Sequence, residues 1–236
     1  MFGDRRYLPE TLRPNQLFEE LVAAGLAVAT IDYRHALEAR FPAQLHDAKA
    51  AIRYLRAHAD VLGVNTERIG VWGESAGGHI AALVGLTGRR PDLEGAIGVL
   101  RQSSAVDVVV DWYGPADLAL QPRERRNAEI VAKLPPEMLT PPEDLMAGGQ
   151  DERSLTAASP VTYVTSGAPP FLLVHGTADT VVPYAQSEVL AQALTQNGVP
   201  VQLVAIDGAN HIFNGHDDVD GVVQLSVEYL VEALRG

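Results

Sequence analysis

The chain has 236 residues, of which 47% are hydrophobic and 20% charged. These proportions are those of a globular protein, and they exclude a wholly disordered, collagen-like or coiled-coil chain. Eighteen Lys and Arg against 30 Asp and Glu give a formal net charge of -12. Because nucleic acids and anionic membrane surfaces attract clustered positive charge, this balance argues against both as partners. Cysteine is absent, which excludes a thiol nucleophile and cysteine-ligated zinc.

No targeting or membrane segment is visible in the sequence. Charged side chains are spread through the first 25 residues, which contain no apolar core of a signal peptide. No run reaches the roughly 18 apolar residues that a membrane-spanning helix needs. We therefore expect a cytoplasmic chain without a membrane span.

Short β-branched apolar runs alternate with longer helical patterns along the chain. The runs that predict strands are 26–31, 68–73, 106–112, 171–175 and 201–206. The segments that predict helices are 44–62, 75–86, 183–196 and 219–234. Strand and helix in alternation predict an α/β fold with a mainly parallel sheet covered by helices on both faces.

The segment 115–166 departs from this alternation. It contains no clear strand, seven prolines and a charged cluster at 123–126. We expect a single domain over residues 1–236, in which 115–166 forms an insertion or small cap with short helices near 128–133 and 143–146.

A serine lies in the turn between a predicted strand and a predicted helix. The segment Gly73-Glu74-Ser75-Ala76-Gly77 matches Gly-x-Ser-x-Gly, and this setting is the one that a nucleophile elbow requires. The glycines leave space in a sharp turn, and the backbone N–H of Ala76 is placed to stabilise an oxyanion. The alternative is that Ser75 only caps the helix.

A serine nucleophile needs a base, and the base needs a group that orients it. His211 is the best candidate because it follows the strand 201–206, beyond the carboxyl end at which parallel sheets build their sites. His216 is the alternative base. The other histidines are expected in packing, turn or surface roles: His35, His46, His58, His79 and His175.

Two aspartates are candidates for the orienting group. Asp179 follows the strand 171–175, and Asp207 follows the strand 201–206, close in sequence to His211. An aspartate in a tight loop is also a good turn former, which is the structural alternative for Asp179.

Three segments together resemble the α/β-hydrolase fold. They are Gly-Glu-Ser-Ala-Gly-Gly at 73–78, Pro-Phe-Leu-Leu-Val-His-Gly-Thr-Ala-Asp-Thr-Val-Val-Pro at 170–183 and Gly-Ala-Asn-His-Ile-Phe at 208–213. More narrowly, the chain from about residue 20 onward is similar to bacterial carboxylesterases related to hormone-sensitive lipase and to feruloyl esterases.

The resemblance implies roles for three residues. Ser75 would be the nucleophile and His211 the general base and then acid. Asp179 would hold the imidazole, since the order Ser75, Asp179, His211 is the one that this fold uses. The implied chemistry is acyl transfer from a small-molecule ester to water through an acyl-enzyme, with neither metal nor organic cofactor.

One motif of that family is missing from the sequence. Its members carry a His-Gly-Gly-Gly-type loop that supplies the second side of the oxyanion hole, and no such motif occurs here. In relatives this loop precedes a segment like 2–6, so we expect the chain to begin just after the loop, without the first strands of the sheet. Loss of one oxyanion donor costs about 10²–10³ in rate, which leaves a weakly active or non-catalytic form as an alternative.

Four residues near the expected site are candidates to line a substrate pocket: Glu74, Trp112, Tyr113 and Val182. Core packing is the alternative for Trp112, Tyr113 and Val182, and Glu74 is expected to be a scaffold carboxylate rather than a catalytic acid. If the insertion covers the site, small to medium acyl groups are favoured over long lipids.

Two other enzymes of the same fold remain alternatives, a prolyl-oligopeptidase-type peptidase and an arylformamidase. An exposed edge strand and the last helix are candidate surfaces for assembly into a homo-oligomer.

Overall fold

The computed structural model describes Leu12, residues 15–120 and residues 151–235. Within these residues helices and strands alternate along the chain. Their bounds are α1 (Gln16–Ala23), α2 (Ala43–Ala57), α3 (Ala59–Leu62), β1 (Gly70–Glu74), α4 (Ala76–Thr87), β2 (Val108–Trp112), α5 (Glu152–Ala158), β3 (Phe171–Gly176), α6 (Ala185–Gln196), β4 (Val201–Ile206) and α7 (Val219–Arg235). One 3-10 turn, His211–Phe213, matters for the site.

The strands of the described chain form one parallel sheet in the order β1-β2-β3-β4. The register aligns their carboxyl ends, since Glu74 pairs with Trp112, Trp112 with Val174 and Val174 with Val204. The loops that follow all four strands therefore leave the sheet at one edge. This arrangement confirms the predicted parallel α/β architecture.

Alternate residues of the central strands enter two separate cores, because successive side chains of a strand point to opposite faces. Val109, Phe171 and Leu173 pack in one cluster with residues of α2, α4 and α6. Val108, Val110, Trp112, Leu172 and Val174 pack in the other with residues of α1 and α7. Helices thus cover both faces of the sheet, as the sequence predicts.

Helix α4 lies deepest among the described helices. Every residue from Gly78 to Thr87 is buried, as expected of a helix that is apolar on all sides. The start of this helix is consequently fixed against the sheet, and Ser75 immediately precedes it.

A buried ion cluster joins α2 to the loop after α4. The side chains of Lys49 and Arg53 are fully buried, and Glu94 forms ion pairs with both, at 3.1 Å and 2.7 Å. Lys49 also donates to the Thr87 carbonyl, and Arg53 to the Ile97 carbonyl. Burial lowers the pKa of Lys49, while Glu94 opposes that shift.

Two sequence predictions need correction. Residues 26–31 form no strand, and 27–30 are exposed. An apolar run becomes a strand only where a neighbour accepts its backbone hydrogen bonds, and no described strand pairs with it. The predicted helix 44–62 is interrupted at His58, whose ring Nδ1 bonds the Tyr54 carbonyl at 2.8 Å. The other predicted helices and strands agree within two residues at each end.

Most of the predicted insertion, including the short helices near 128–133 and 143–146, lies outside the described residues. Helix α5 and the 3-10 helix Pro160–Tyr163 lie in the part of it from residue 151 onward. The prediction of a single domain over 1–236 stays a prediction. In the part of the chain that the structure describes, no helix is both long and apolar enough to cross a membrane.

Candidate active site

Ser75 occupies a strained turn between β1 and α4. Its backbone has φ 50° and ψ −114°, a conformation that non-glycine residues adopt only where the surroundings enforce it. A Cβ added to Gly73 would lie 2.1 Å from the Gly77 carbonyl oxygen, so glycine at 73 is a steric requirement. The Ser75 N–H donates to the Trp112 carbonyl at 2.8 Å, which ties the turn to β2.

His211 lies between Ser75 and Asp179. Its Nε2 is 3.1 Å from the Ser75 Oγ, and its Nδ1 is 2.7 Å from the Asp179 Oδ2. Since a carboxylate can only accept, Nδ1 carries the proton and Nε2 is left to accept from the serine hydroxyl. The carboxylate is fully buried, whereas the imidazole is 18% exposed.

The loop after β3 holds the second oxygen of the same carboxylate. Asp179 Oδ1 accepts from the N–H groups of Val181 and Val182, both at 2.8 Å. Burial alone would raise the pKa of Asp179, but hydrogen bonds from His175 and His211 outweigh it and hold that pKa well below its usual range. Asp179 is therefore ionised at neutral pH and can stabilise an imidazolium at His211.

His175 contacts the carboxylate from the core side. Its Nε2 lies 3.3 Å from Asp179 Oδ2 and 2.8 Å from the Val182 carbonyl, and its Nδ1 lies 2.7 Å from the Ser187 Oγ. The carbonyl can only accept, so Nε2 carries a proton and Nδ1 accepts from Ser187. The sequence predicted that His175 orders the turn, but no sequence signal pointed to this contact with Asp179.

The alternative site residues lie elsewhere. Asp207 accepts from the Thr177 hydroxyl at 3.3 Å, and His216 lines a cavity between β4 and α7. His79 is fully buried with its Nδ1 2.8 Å from the Pro115 carbonyl, and burial lowers its pKa to about 4. The structure thus brings Ser75 together with His211 and Asp179, the preferred candidates for the base and the orienting group.

Tyr113 and Glu74 form a pair beside the site. Tyr113 is 1% exposed and its hydroxyl donates to Glu74 Oε2 at 2.9 Å. The tyrosine ring packs edge-on against the His211 ring, with centroids 4.9 Å apart. Burial raises the pKa of Glu74 to about 7, against the opposing effect of the Tyr113 hydrogen bond. Tyr113 therefore packs next to the imidazole, and its hydroxyl joins it to Glu74.

The raised pKa of Glu74 makes stability depend on pH. Between about pH 4.5 and 7 the folded chain keeps a proton that the unfolded chain releases, so this stabilisation is complete below 4.5 and lost as the pH rises through 7. Glu74→Gln keeps the acceptor for Tyr113 and carries no charge. We expect the free energy of unfolding of this variant to be about 1–3 kcal/mol higher than that of wild type at pH 8 and similar to that of wild type at pH 5.

Urea unfolding at both pH values measures this difference. Glu188→Gln, at an exposed position on α6, is the control and is expected to give no pH-dependent difference. Equal stabilities of Glu74→Gln and wild type at pH 8 would contradict burial of the Glu74 carboxylate.

Trp112 and Val182 are buried at 1% and 4% exposure. The Trp112 Nε1 donates to Ser226 on α7 at 3.0 Å, and its ring packs edge-on against Phe213. Val182 contributes its N–H to Asp179 and its carbonyl to His175. These contacts favour the core alternative over a pocket role for both residues.

The Ala76 N–H begins α4 directly after Ser75. The first N–H groups of a helix have no acceptor within the helix, and the helix dipole places positive charge there. An anion at the Ser75 Oγ would therefore meet a favourable field.

Within the described ranges, no group of three His, Asp or Glu side chains is arranged to hold a metal ion.

Comparison with known proteins gives consistent matches. The family model BD-FAE matches residues 9–194. Esterase LipC of Mycobacterium tuberculosis is 34% identical over 208 residues, which cover 87% of this chain and 49% of LipC. The chain therefore spans about half the length of that curated relative.

Two solved structures are similar over most of the chain. A truncated form of a carbohydrate esterase from gut microbiota has a TM-score of 0.81 at 30% identity, covering 99% of this chain and 84% of that one. The propionate-bound esterase Est2 from Thermogutta terrifontis has a TM-score of 0.63 at 31% identity, covering 85% and 70%. These matches confirm the resemblance drawn from the sequence. The chain belongs to the BD-FAE family and shares the α/β-hydrolase fold of its esterase relatives.

Proposed function

We propose that the protein is a serine carboxylesterase that hydrolyses esters of small to medium acyl groups. The observation that carries the proposal is the continuous hydrogen-bonded series from the Ser75 Oγ through both nitrogens of His211 to Asp179, with separations of 3.1 Å and 2.7 Å. A hydroxyl, a base and an orienting carboxylate in this geometry are suited to acyl transfer.

The proposed reaction has two halves. In the first, the Ser75 Oγ attacks the acyl carbon while its proton passes to His211 Nε2, and the imidazolium then gives that proton to the departing alkoxide. In the second, water attacks the acyl-enzyme, gives a proton to the same nitrogen and releases the acid, with the proton returned to the Ser75 Oγ. Asp179 stays ionised and stabilises the imidazolium in both halves.

The oxyanion that forms in each half needs hydrogen-bond donors. We propose the Ala76 N–H as one donor, supported by its place at the first turn of α4 next to Ser75. The alternative of a non-catalytic form rests on the absence of a His-Gly-Gly-Gly motif from the sequence. Measurable turnover that depends on Ser75 would exclude that alternative.

The preference for short acyl groups draws on the relatives. One similar structure is a carbohydrate esterase and another an esterase with bound propionate. In this chain, the buried Tyr113 ring stands against His211, which limits the space beside the imidazole.

A substrate panel tests the proposed function. We expect p-nitrophenyl acetate and butyrate to be hydrolysed faster than the dodecanoate, and all three faster than a peptidyl p-nitroanilide or an aryl formamide. Faster cleavage of the anilide would favour the peptidase alternative, and faster cleavage of the formamide the arylformamidase. Higher activity on the dodecanoate than on the butyrate would contradict the preference for short acyl groups.

A further inference from the structure

Asn210 links the loop that carries Asp179 to the loop that carries His211. Its Oδ1 accepts from the His211 N–H at 2.7 Å, from the Thr180 N–H at 3.0 Å and from the Thr180 hydroxyl at 3.1 Å. Thr180 follows Asp179 directly, and His211 follows Asn210. One amide oxygen therefore bonds the backbone of His211 itself and the residue that follows Asp179.

The turn that carries His211 has a backbone conformation that its residues disfavour. Ile212 and Phe213 both have φ 57°, and β-branched or bulky residues seldom adopt this left-handed conformation. The Asn210 N–H donates to the Asn214 carbonyl at 2.9 Å and closes the turn. The side chain of Asn210 also accepts from the His211 N–H at the start of the turn.

Other contacts between the two loops lie nearer the sheet. The Ala178 N–H donates to the Ala209 carbonyl at 3.0 Å, and the Gly208 N–H donates to the Thr177 hydroxyl at 2.9 Å. The Asn210 bonds to Thr180 lie farther from β3 along the loop that carries Asp179. Along the chain, Asp179 thus lies between two sets of inter-loop bonds, and His211 follows directly after the outer set.

We propose that Asn210 is a positioning residue, whose Oδ1 holds the His211 imidazole at hydrogen-bond distance from both Asp179 and Ser75. The inference rests on the proposed ester hydrolysis for its kinetic effect, whereas the geometric effect does not depend on activity. Reacting groups displaced by about 1 Å lose about 10²-fold in rate. Loss of the acceptor should therefore lower kcat and leave KM almost unchanged.

The test compares two substitutions of Asn210. Asn210→Asp keeps an oxygen that accepts all three bonds, whereas Asn210→Leu has a similar size and accepts none. We expect the leucine variant to lose about 10- to 100-fold in kcat for p-nitrophenyl acetate and the aspartate variant to stay within about threefold of wild type. Asn214→Leu, an exposed asparagine in the same loop, is the matched control and should behave as wild type.

Thr180→Val is a second variant that tests the same hydrogen bonds if the leucine variant misfolds. It removes one of the three donors from an exposed residue, and we expect a decrease in kcat of about three- to tenfold with KM retained. A wild-type kcat in both Asn210→Leu and Thr180→Val would overturn the inference. A loss in Asn210→Leu that Asn210→Asp does not avoid would also overturn it.

A spectroscopic arm separates this inference from the proposed function. The proton on His211 Nδ1, shared with Asp179, should give a downfield proton NMR signal that is absent in His211→Ala. We expect the signal to persist in Asn210→Asp and to shift or broaden in Asn210→Leu. If wild type hydrolyses no ester, the proposed function fails and this signal alone decides the inference; an unchanged signal in Asn210→Leu would overturn it.

Discussion

Replacement of Ser75 by alanine is expected to lower kcat/KM for p-nitrophenyl acetate by at least about 10⁴-fold, because the proposed mechanism has no substitute for this hydroxyl as its nucleophile. The fold should be unaffected, since the backbone bond from residue 75 to the Trp112 carbonyl does not involve the hydroxyl. The variant should also fail to react with an organophosphonate that labels wild type. Intact-protein mass spectrometry measures the adduct, and peptide mapping should place it on Ser75.

Ser103→Ala is a suitable control because Ser103 is exposed and its hydroxyl accepts from the nearby Ala105 N–H. It is expected to keep full activity and full labelling. Ester hydrolysis by Ser75→Ala at the wild-type rate would show that the assignment of the nucleophile is wrong, whatever the fold.

Removal of the Glu94 carboxylate is expected to lower the free energy of unfolding more than any of the other substitutions described above. Glu94→Ala leaves Lys49 and Arg53, both with fully buried side chains, without their shared carboxylate. Removing one partner from a buried ion pair costs about 3–5 kcal/mol, because the remaining charge stays desolvated. Urea unfolding should show this decrease, and thermal unfolding should show a Tm lower by roughly 10 °C.

Asp92→Ala provides the matched control for that loss. Asp92 pairs with Arg90 at 2.8 Å, but the two side chains are 59% and 49% exposed. Exposed ion pairs contribute about 0–1 kcal/mol, so the control should unfold almost as wild type does. Equal effects of the two substitutions would contradict the burial of the Glu94 cluster.

The sequence predicted the elements whose signals are local. The β-branched run of β2 and the glycine turn around Ser75 each specify their structure within a few residues. The register of parallel strands then brings the residues after β1, β3 and β4 to one edge, which made Ser75 and His211 predictable as neighbours. Asp207 follows β4 at the same edge, so the choice of Asp179 over Asp207 came from the resemblance to the α/β-hydrolase fold.

Other features depend on partners far away in the chain. Residues 26–31 have strand composition, yet composition does not say whether a neighbouring strand pairs with them. Asn210 resembles any loop asparagine until the fold brings Thr180 within hydrogen-bond distance. The same holds for Glu94, whose importance comes from two cations more than 40 positions earlier.

The bond from Ser75 to the Trp112 carbonyl is one of a series. The Tyr113 N–H donates to the Val174 carbonyl, and the Thr177 N–H donates to the Ile206 carbonyl, so each strand is bonded to the next at or just beyond its end. The amide of Ser75 should consequently exchange with solvent only when the sheet itself opens, as core strands do. His211 lies on a turn beyond the last strand, so local openings are expected to separate the His211 imidazole from a Ser75 hydroxyl that stays in place.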